Sequence, residues 1–237
     1  ASEWATIGRA YLMTILVTVI GTALSLVITS TFAFAVSNDK LPGHKILMFL
    51  CIFTMLFNGG LVASYYVYSN IFHIKNTIWA LIVPTFLMSP FNVVLVKNYF
   101  SNSISPSILE AARMDGAGVF AVFTKIVMPL SVPIMATVGL MTAISYWNDW
   151  TNGLYYLTEN GGSQYYTIQL VLNRINENIN FLANNSDVAA KAAQQLPSTT
   201  MRMKYATIII SSLPLLVMYP FFQKYFVKGI TLGGVKE

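Results

Sequence analysis

Charge is what this chain has least of. Only 10% of its 237 residues are Asp, Glu, Lys or Arg, against about 25% in an average soluble domain. Hydrophobic residues make up 55%, and a soluble fold of that composition would have too little polar surface to cover its helices. Cysteine is nearly absent. Cys51 alone excludes an intrachain disulfide, and its apolar surroundings make it a small buried side chain. The two histidines, His44 and His73, stand apart as loop or interface residues, so no His/Glu metal cluster is in view. No Gly-x-x-x-x-Gly-Lys-Ser/Thr stretch occurs, which excludes ATP binding through a P-loop. The net charge of +5 comes from cations scattered between oily runs, a pattern that weighs against nucleic-acid binding.

What is present is a series of long uncharged runs. Ala10–Asn38, Ile46–Ile74, Asn76–Val96, Ile126–Asn148 and Tyr205–Gln223 contain no Lys, Arg, Asp or Glu. Each reaches about 19 residues or more, enough for a helix to cross roughly 30 Å of hydrocarbon. The first run follows Glu3 and Trp4 and is too long for a secretory signal. The expected architecture is an all-α, polytopic helical bundle forming a single domain over 1–237. Its spans are expected at about 10–38, 46–71, 76–97, 127–149 and 205–226.

Several of these runs are interrupted. Asn58-Gly59-Gly60 breaks the second, Pro84 and Pro90 the third, Pro129 and Pro133 open the fourth, and Pro214 and Pro220 fall in the fifth. Irregular backbone at membrane depth is tolerated where protein covers it or where it lines a wet cavity. Alternate connections share a side. The Ser37–Lys45 link, the 98–126 loop and the 227–237 tail lie on the side with the denser Lys and Arg, so the positive-inside rule makes them cytoplasmic. The 150–204 loop is then extracellular. Within it Ile168, Val171, Ile175, Ile179 and Leu182 keep helical spacing, which predicts an amphipathic helix on the outer surface. Asn160-Gly161-Gly162 reads as a loop tip ahead of it.

One short segment concentrates the missing charge. In "ILEAARMDGAGVF", Glu110, Arg113 and Asp115 crowd together before Gly116. Ser105 can cap a helix with Pro106 at its first position, Ser107 with Glu110 offers an alternative capping box, and Gly116 suits the left-handed position that ends it. The resulting helix of about two to three turns is too short to be stable alone. It needs something to dock on, and the small Ala111 and Ala112 would let a partner approach closely. A second apolar helix carrying Val119, Phe120, Phe123, Ile126 and Val127 into Pro129 should follow.

Glu110-Ala111-Ala112, Asp115-Gly116-Ala117, Phe123, Ile126, Pro129 and Pro133 closely resemble the EAA loop of bacterial ABC importer permeases. Trp147-Asn148-Asp149-Trp150 resembles the Trp-Asn motif of the MalG-type carbohydrate permeases. Phe226, Lys228-Gly229, Gly233 and Val235-Lys236 resemble their cytoplasmic tail. The stretch from Tyr219 to Lys236 looks most similar to the LplC/YtcP branch of that family, and the resemblance covers essentially the whole chain.

The resemblance implies the type I ABC importer (MetI/MalG-like) fold and a non-catalytic permease that moves a sugar or oligosaccharide by alternating access. Glu110, Ala111, Ala112, Asp115, Gly116 and Ala117 would form the helix that couples to a separate ATPase, and Lys228, Gly229, Gly233 and Lys236 would make further contacts from the tail. The chain would bind no cofactor, ATP and Mg belonging to two ATP-binding subunits. A second, MalF-like permease, an extracellular solute-binding protein and membrane lipid complete its partners. Tyr65, Tyr66, Asn92, Tyr146, Trp147 and Asn148 are candidates for the substrate path, equally readable as interface-belt or helix-packing residues. Tyr155, Asn160, Gly161 and Gly162 are candidates for receptor docking.

Two departures stand out: the family usually has six spans, so one would precede Ala1, and the outer loop is longer than in MalG. An ABC permease for a non-sugar solute remains an alternative. A self-powered secondary transporter is another, although such proteins often carry ionisable groups within their spans, and here Asp149 lies only at an end.

Overall fold

The computed structural model describes residues 2–38, 41–184, 209 and 212. It is helical, with these elements in order: α1 (Ser2–Ser37), α2 (His44–Leu56), α3 (Gly60–Tyr66), α4 (Trp79–Ile82), α5 (Pro90–Ser103), α6 (Pro106–Met114), α7 (Val119–Val122), α8 (Met128–Leu130), α9 (Val132–Asn148), α10 (Thr151–Tyr156), α11 (Glu159–Gly162) and α12 (Ile168–Asn184). The expected fifth span, 205–226, lies outside the described residues apart from Ile209 and Ser212, both helical. The tail residues Lys228, Gly229, Gly233 and Lys236 also lie outside them.

Among the described residues Ala5–Ser37 is the one unbroken helix long and apolar enough to cross a membrane. The second and fourth runs are bent. His44–Leu56 and Gly60–Ile71 meet at 119°, and Val119–Leu130 and Val132–Asn148 at 79°. At the first bend Gly60 takes φ +82° and donates its N–H to Asn58 Oδ1 at 2.9 Å, a conformation that glycine adopts without a Cβ penalty. At the second, Pro133 has no N–H to offer its helix, and the chain breaks at Ser131. The third run is divided as well. Between α4 and α5 the chain passes through turns at Pro84 and Thr85, the latter at φ +70°, and Pro90 then starts α5 behind the N-cap Ser89.

Two compact units can be distinguished. Among the described residues the first gathers 2–18, Tyr65–Ile82 and 144–184; the second gathers Val19–Ser64 and Val83–Ala143. In the second, Ala33, Val93, Val96, Phe100, Val122, Phe123, Val127 and Val138 form one apolar core, with Cys51 buried among them as expected. The Phe34 ring packs 5.0 Å from Phe123 and meets Phe100 edge-on at 6.5 Å. Gly139 permits a close approach, since a Cβ there would stand 3.2 Å from Leu26 Cδ1. Ser25 Oγ donates to the Phe86 carbonyl at 3.1 Å, which satisfies a group freed by the break before α5.

In the first unit α12 forms where its spacing predicts. Its inward residues Ile168 and Leu172 pack with Ala10, and Ile7, Tyr11 and Val171 lie against them. Thr14 Oγ1 accepts the Ile168 N–H at 2.9 Å, satisfying a donor at the start of α12. Asp149 does the same for α10: its Oδ1 accepts the N–H groups of Thr151 and Asn152 at 3.0 and 3.2 Å.

Candidate functional site

The charged segment folds as its residues dictate. Ser105 is the N-cap of α6 and Pro106 occupies the first turn, so the alternative start at Ser107 is not used. Ser105 Oγ and Ser107 Oγ instead lie 2.7 Å apart. At the other end, Gly116 at φ +80° donates to the Arg113 carbonyl at 3.1 Å, and Ala117 donates to the Ala112 carbonyl at 2.9 Å. These are the two bonds of a Schellman cap, which satisfies the carbonyls a helix end leaves open.

α6 presents two faces. Leu109, Ala112 and Ala117 turn toward the core of their own unit, whereas Glu110, Ala111, Arg113, Asp115 and Gly116 are exposed. α6 spaces Ala111 and Ala112 about 100° apart: Ala111 is exposed, and the half-buried Ala112 packs on the core of its own unit. Exposed apolar side chains border the charges, with Ile108 at 44%, Met114 at 89%, Val119 at 70% and Phe120 at 79% exposure. No ion pair engages Glu110, Arg113 or Asp115 among the described residues. Behind α6 lies a cavity of about 260 Å³, lined in part by Phe34, Asn38, Phe100, Leu109, Glu110 and Arg113. The segment after α6 continues as expected, but Phe123–Val127 form a π-helical turn between α7 and α8.

The expected substrate-path residues divide. Tyr146 and Trp147 are buried, at 1% and 3% exposure; Tyr146 donates its hydroxyl to the Ile82 carbonyl at 2.7 Å, and Trp147 packs 6.4 Å from Tyr11. Asn92 is buried in the second unit and donates to Thr142 Oγ1 at 3.2 Å. These three pack the structure. Asn148 and Tyr66 are exposed, and Tyr65 is half-buried.

The receptor candidates change more. Asn160 and Gly161 are exposed, but Gly162 is buried and ends the short helix α11, so this is no free loop tip. Asn76, at φ +59°, holds the turn: its Oδ1 accepts the Thr158 N–H at 2.7 Å and the Thr158 hydroxyl at 3.1 Å. Its own N–H donates to the Tyr156 carbonyl at 3.0 Å. A Cβ on Gly162 would fall 2.7 Å from Asn76 Oδ1 and 3.1 Å from Leu157 Cα. Tyr155 is exposed, while its neighbour Tyr156 is buried, and that burial pushes its phenol above the usual range.

Residues 15–232 match the family described as binding-protein-dependent transport system inner membrane component. The chain belongs to this family. The permease is 37% identical over 230 residues to the polygalacturonan/rhamnogalacturonan transport system permease protein YtcP of Bacillus subtilis (strain 168), covering 97% of this chain and 77% of that one. It is 36% identical to Protein LplC of the same strain, covering 96% and 74%. A solved bacterial ABC transporter involved in the import of the acidic polysaccharide alginate matches with TM-score 0.78 and 31% identity, over 93% of this chain and 75% of that one. The permease is therefore membrane-embedded and has the type I importer fold.

Sequence reasoning missed Asn76 and Thr158, which are 82 positions apart and carry no shared motif. It also missed Arg174. Arg174 donates to Glu159 at 2.9 Å and lies 4.4 Å from the Tyr166 ring centroid, tying α12 to α11.

Proposed function

We propose that the permease moves a sugar or oligosaccharide into the cell by alternating access, powered by separate ATPase subunits. The observation that carries this is α6: a short, capped helix whose inner face is docked on its own core while its charges and exposed apolar border have no partner among the described residues. Exposed apolar patches of this kind mark interaction surfaces. Glu110 and Asp115 supply acceptors to basic or hydroxyl groups of the ATPase, Ala111 and Gly116 permit close approach, and Met114 and Phe120 supply apolar contact. The relatives' names support the sugar, and membership of the family supports the partners: a second permease, two ATP-binding subunits and a solute-binding protein.

In this reading the permease catalyses no reaction and holds no cofactor. The five runs span the membrane, with α6 and the C-terminus in the cytoplasm and the segment after Asp149 outside. ATP binding brings the ATPase subunits together, α6 is carried with them, and the equilibrium shifts because contacts differ between the two states.

The test is Glu110→Lys in proteoliposomes holding the complete importer with its binding protein. Reversing one charge of a buried, hydrogen-bonded pair at an interface costs about 2–5 kcal/mol, so sugar uptake should fall more than about tenfold. ATP hydrolysis should stop responding to the loaded binding protein, while the variant still inserts. Uptake at the wild-type rate would overturn the coupling role.

A further inference from the structure

We propose that Tyr65 and Lys75 form a subsite for an acidic sugar, a pyranuronate, on the outer part of the substrate route. The proposal rests on the sugar-importer reading above and names the class of sugar. Lys75 is half-buried, and its Nζ lies 2.7 Å from the Tyr65 hydroxyl, to which it donates. Nζ stands 5.4 Å from the Tyr65 ring centroid, about what the hydrogen bond adds to the reach of the hydroxyl. The ammonium therefore sits beyond the ring's edge and leaves its face open. An ammonium has three donors, and among the described residues one of them is spent on Tyr65. Among the described residues no carboxylate pairs with Lys75. Glu159, in the segment clamped to Asn76, is already engaged by Arg174 at 2.9 Å.

The aromatic part is rigid. Tyr65 stacks on Tyr156 with centroids 5.8 Å apart and planes 12° from parallel. Tyr156 is itself buried and meets Tyr68 edge-on at 5.9 Å. One face of Tyr65 is thus covered by Tyr156 while the residue stays partly exposed. A pyranose ring offers a C–H face that packs on an aromatic ring, and a uronate adds a carboxylate at the sugar's edge. The pair presents the complementary surfaces: an aromatic face with a cation at its rim.

The experiment uses the complete importer in proteoliposomes, with trigalacturonate and its neutral methyl ester as probes. Each variant is normalised to the wild type on the same probe, so the binding protein's own preference cancels. Lys75→Met should slow trigalacturonate uptake roughly tenfold, the scale of one charge-assisted contact, and the ester less than about twofold. Lys75→Arg should restore the acid, and Tyr65→Ala should slow both probes. Equal losses on acid and ester in Lys75→Met overturn the proposal and point to packing or lipid anchoring. So does unchanged uptake of the acid, or wild-type uptake of the ester but not the acid. If the binding protein refuses the ester, the Met and Arg variants decide on the acid alone: loss in both, or in neither, overturns it. A wild-type importer that moves neutral oligosaccharides but no uronate defeats the subsite and leaves the sugar-importer reading standing. One that moves no sugar defeats both.

Discussion

α6 and the segment from Thr151 to α12 are both polar stretches between apolar runs, yet they use their polar groups in opposite ways. In the later segment nearly every charge is already engaged within the chain. Glu159 meets Arg174 and Glu177 accepts from Asn173 at 3.2 Å; just outside the segment Asp149 caps α10 and the uncharged Asn76 clamps Thr158. On α6, by contrast, Glu110, Arg113 and Asp115 are exposed and unpaired among the described residues. A surface whose charges are internally paired is built to hold a shape. One whose charges are left open beside exposed Met114 and Phe120 has groups free to meet another molecule, which is the ground of the coupling role proposed for α6.

The comparison is broken most severely at Gly116. Its φ of +80° has nothing within 4 Å of a would-be Cβ, so a substitution acts through backbone conformation alone. Gly116→Val should cost about 1–3 kcal/mol and unwind the cap, lowering ATP-driven uptake about tenfold or more by the same conversion. Gly116→Asn should keep most of the activity, because asparagine tolerates the left-handed region. Equal uptake by the two variants would show that the cap geometry is not what coupling needs.

A smaller effect is expected at Gly162. There the obstacle to a Cβ is the Leu157 backbone as well as Asn76, and overpacking of this kind costs about 1–3 kcal/mol. Gly162→Ala should lower the thermal midpoint of the purified permease by a few degrees. If the turn docks the binding protein, it should also weaken that protein's stimulation of ATP hydrolysis. An unchanged midpoint would mean that the Asn76 clamp does not hold the turn.

The smallest effect belongs to Arg174→Ala. The ion pair it removes is largely exposed on the glutamate side, at 79%, and such pairs contribute less than about 1 kcal/mol. The stack on Tyr166 adds about 0.5–1 kcal/mol. A midpoint shift larger than that of Gly162→Ala would make α12, rather than the Asn76 clamp, the main support of the turn.

Much of α6 was legible in the sequence because its signals are local. Ser105, Pro106 and Gly116 each act within one turn of their own position, and capping preferences are set by backbone geometry that neighbours cannot easily override. The interruption at Asn58-Gly59-Gly60 and the period of α12 were legible for the same reason. Residue type was less informative about the substrate path. Tyr146, Trp147 and Asn92 have the chemistry of sugar ligands, but a buried tyrosine hydroxyl or amide needs a partner, and Ile82 and Thr142 supplied it from 64 and 50 positions away. Asn160-Gly161-Gly162 has the composition of a tip, yet its glycines are there to let Asn76 come close.

By itself the sequence determined that this is a chain of apolar helices suited to a membrane, where those helices are interrupted, and that one short capped helix carries most of the charge between two of them. These follow from composition, period and capping, which depend on neighbours within a few residues. Only the tertiary structure decided which polar groups are consumed inside the chain and which stay available. Asn76, Tyr146 and Arg174 found partners, whereas Glu110, Asp115 and Lys75 found no carboxylate or cation to pair with among the described residues. Whether a hydrogen bond or ion pair forms depends on distances of about 3 Å between residues far apart in the chain, and only folding brings such residues that close.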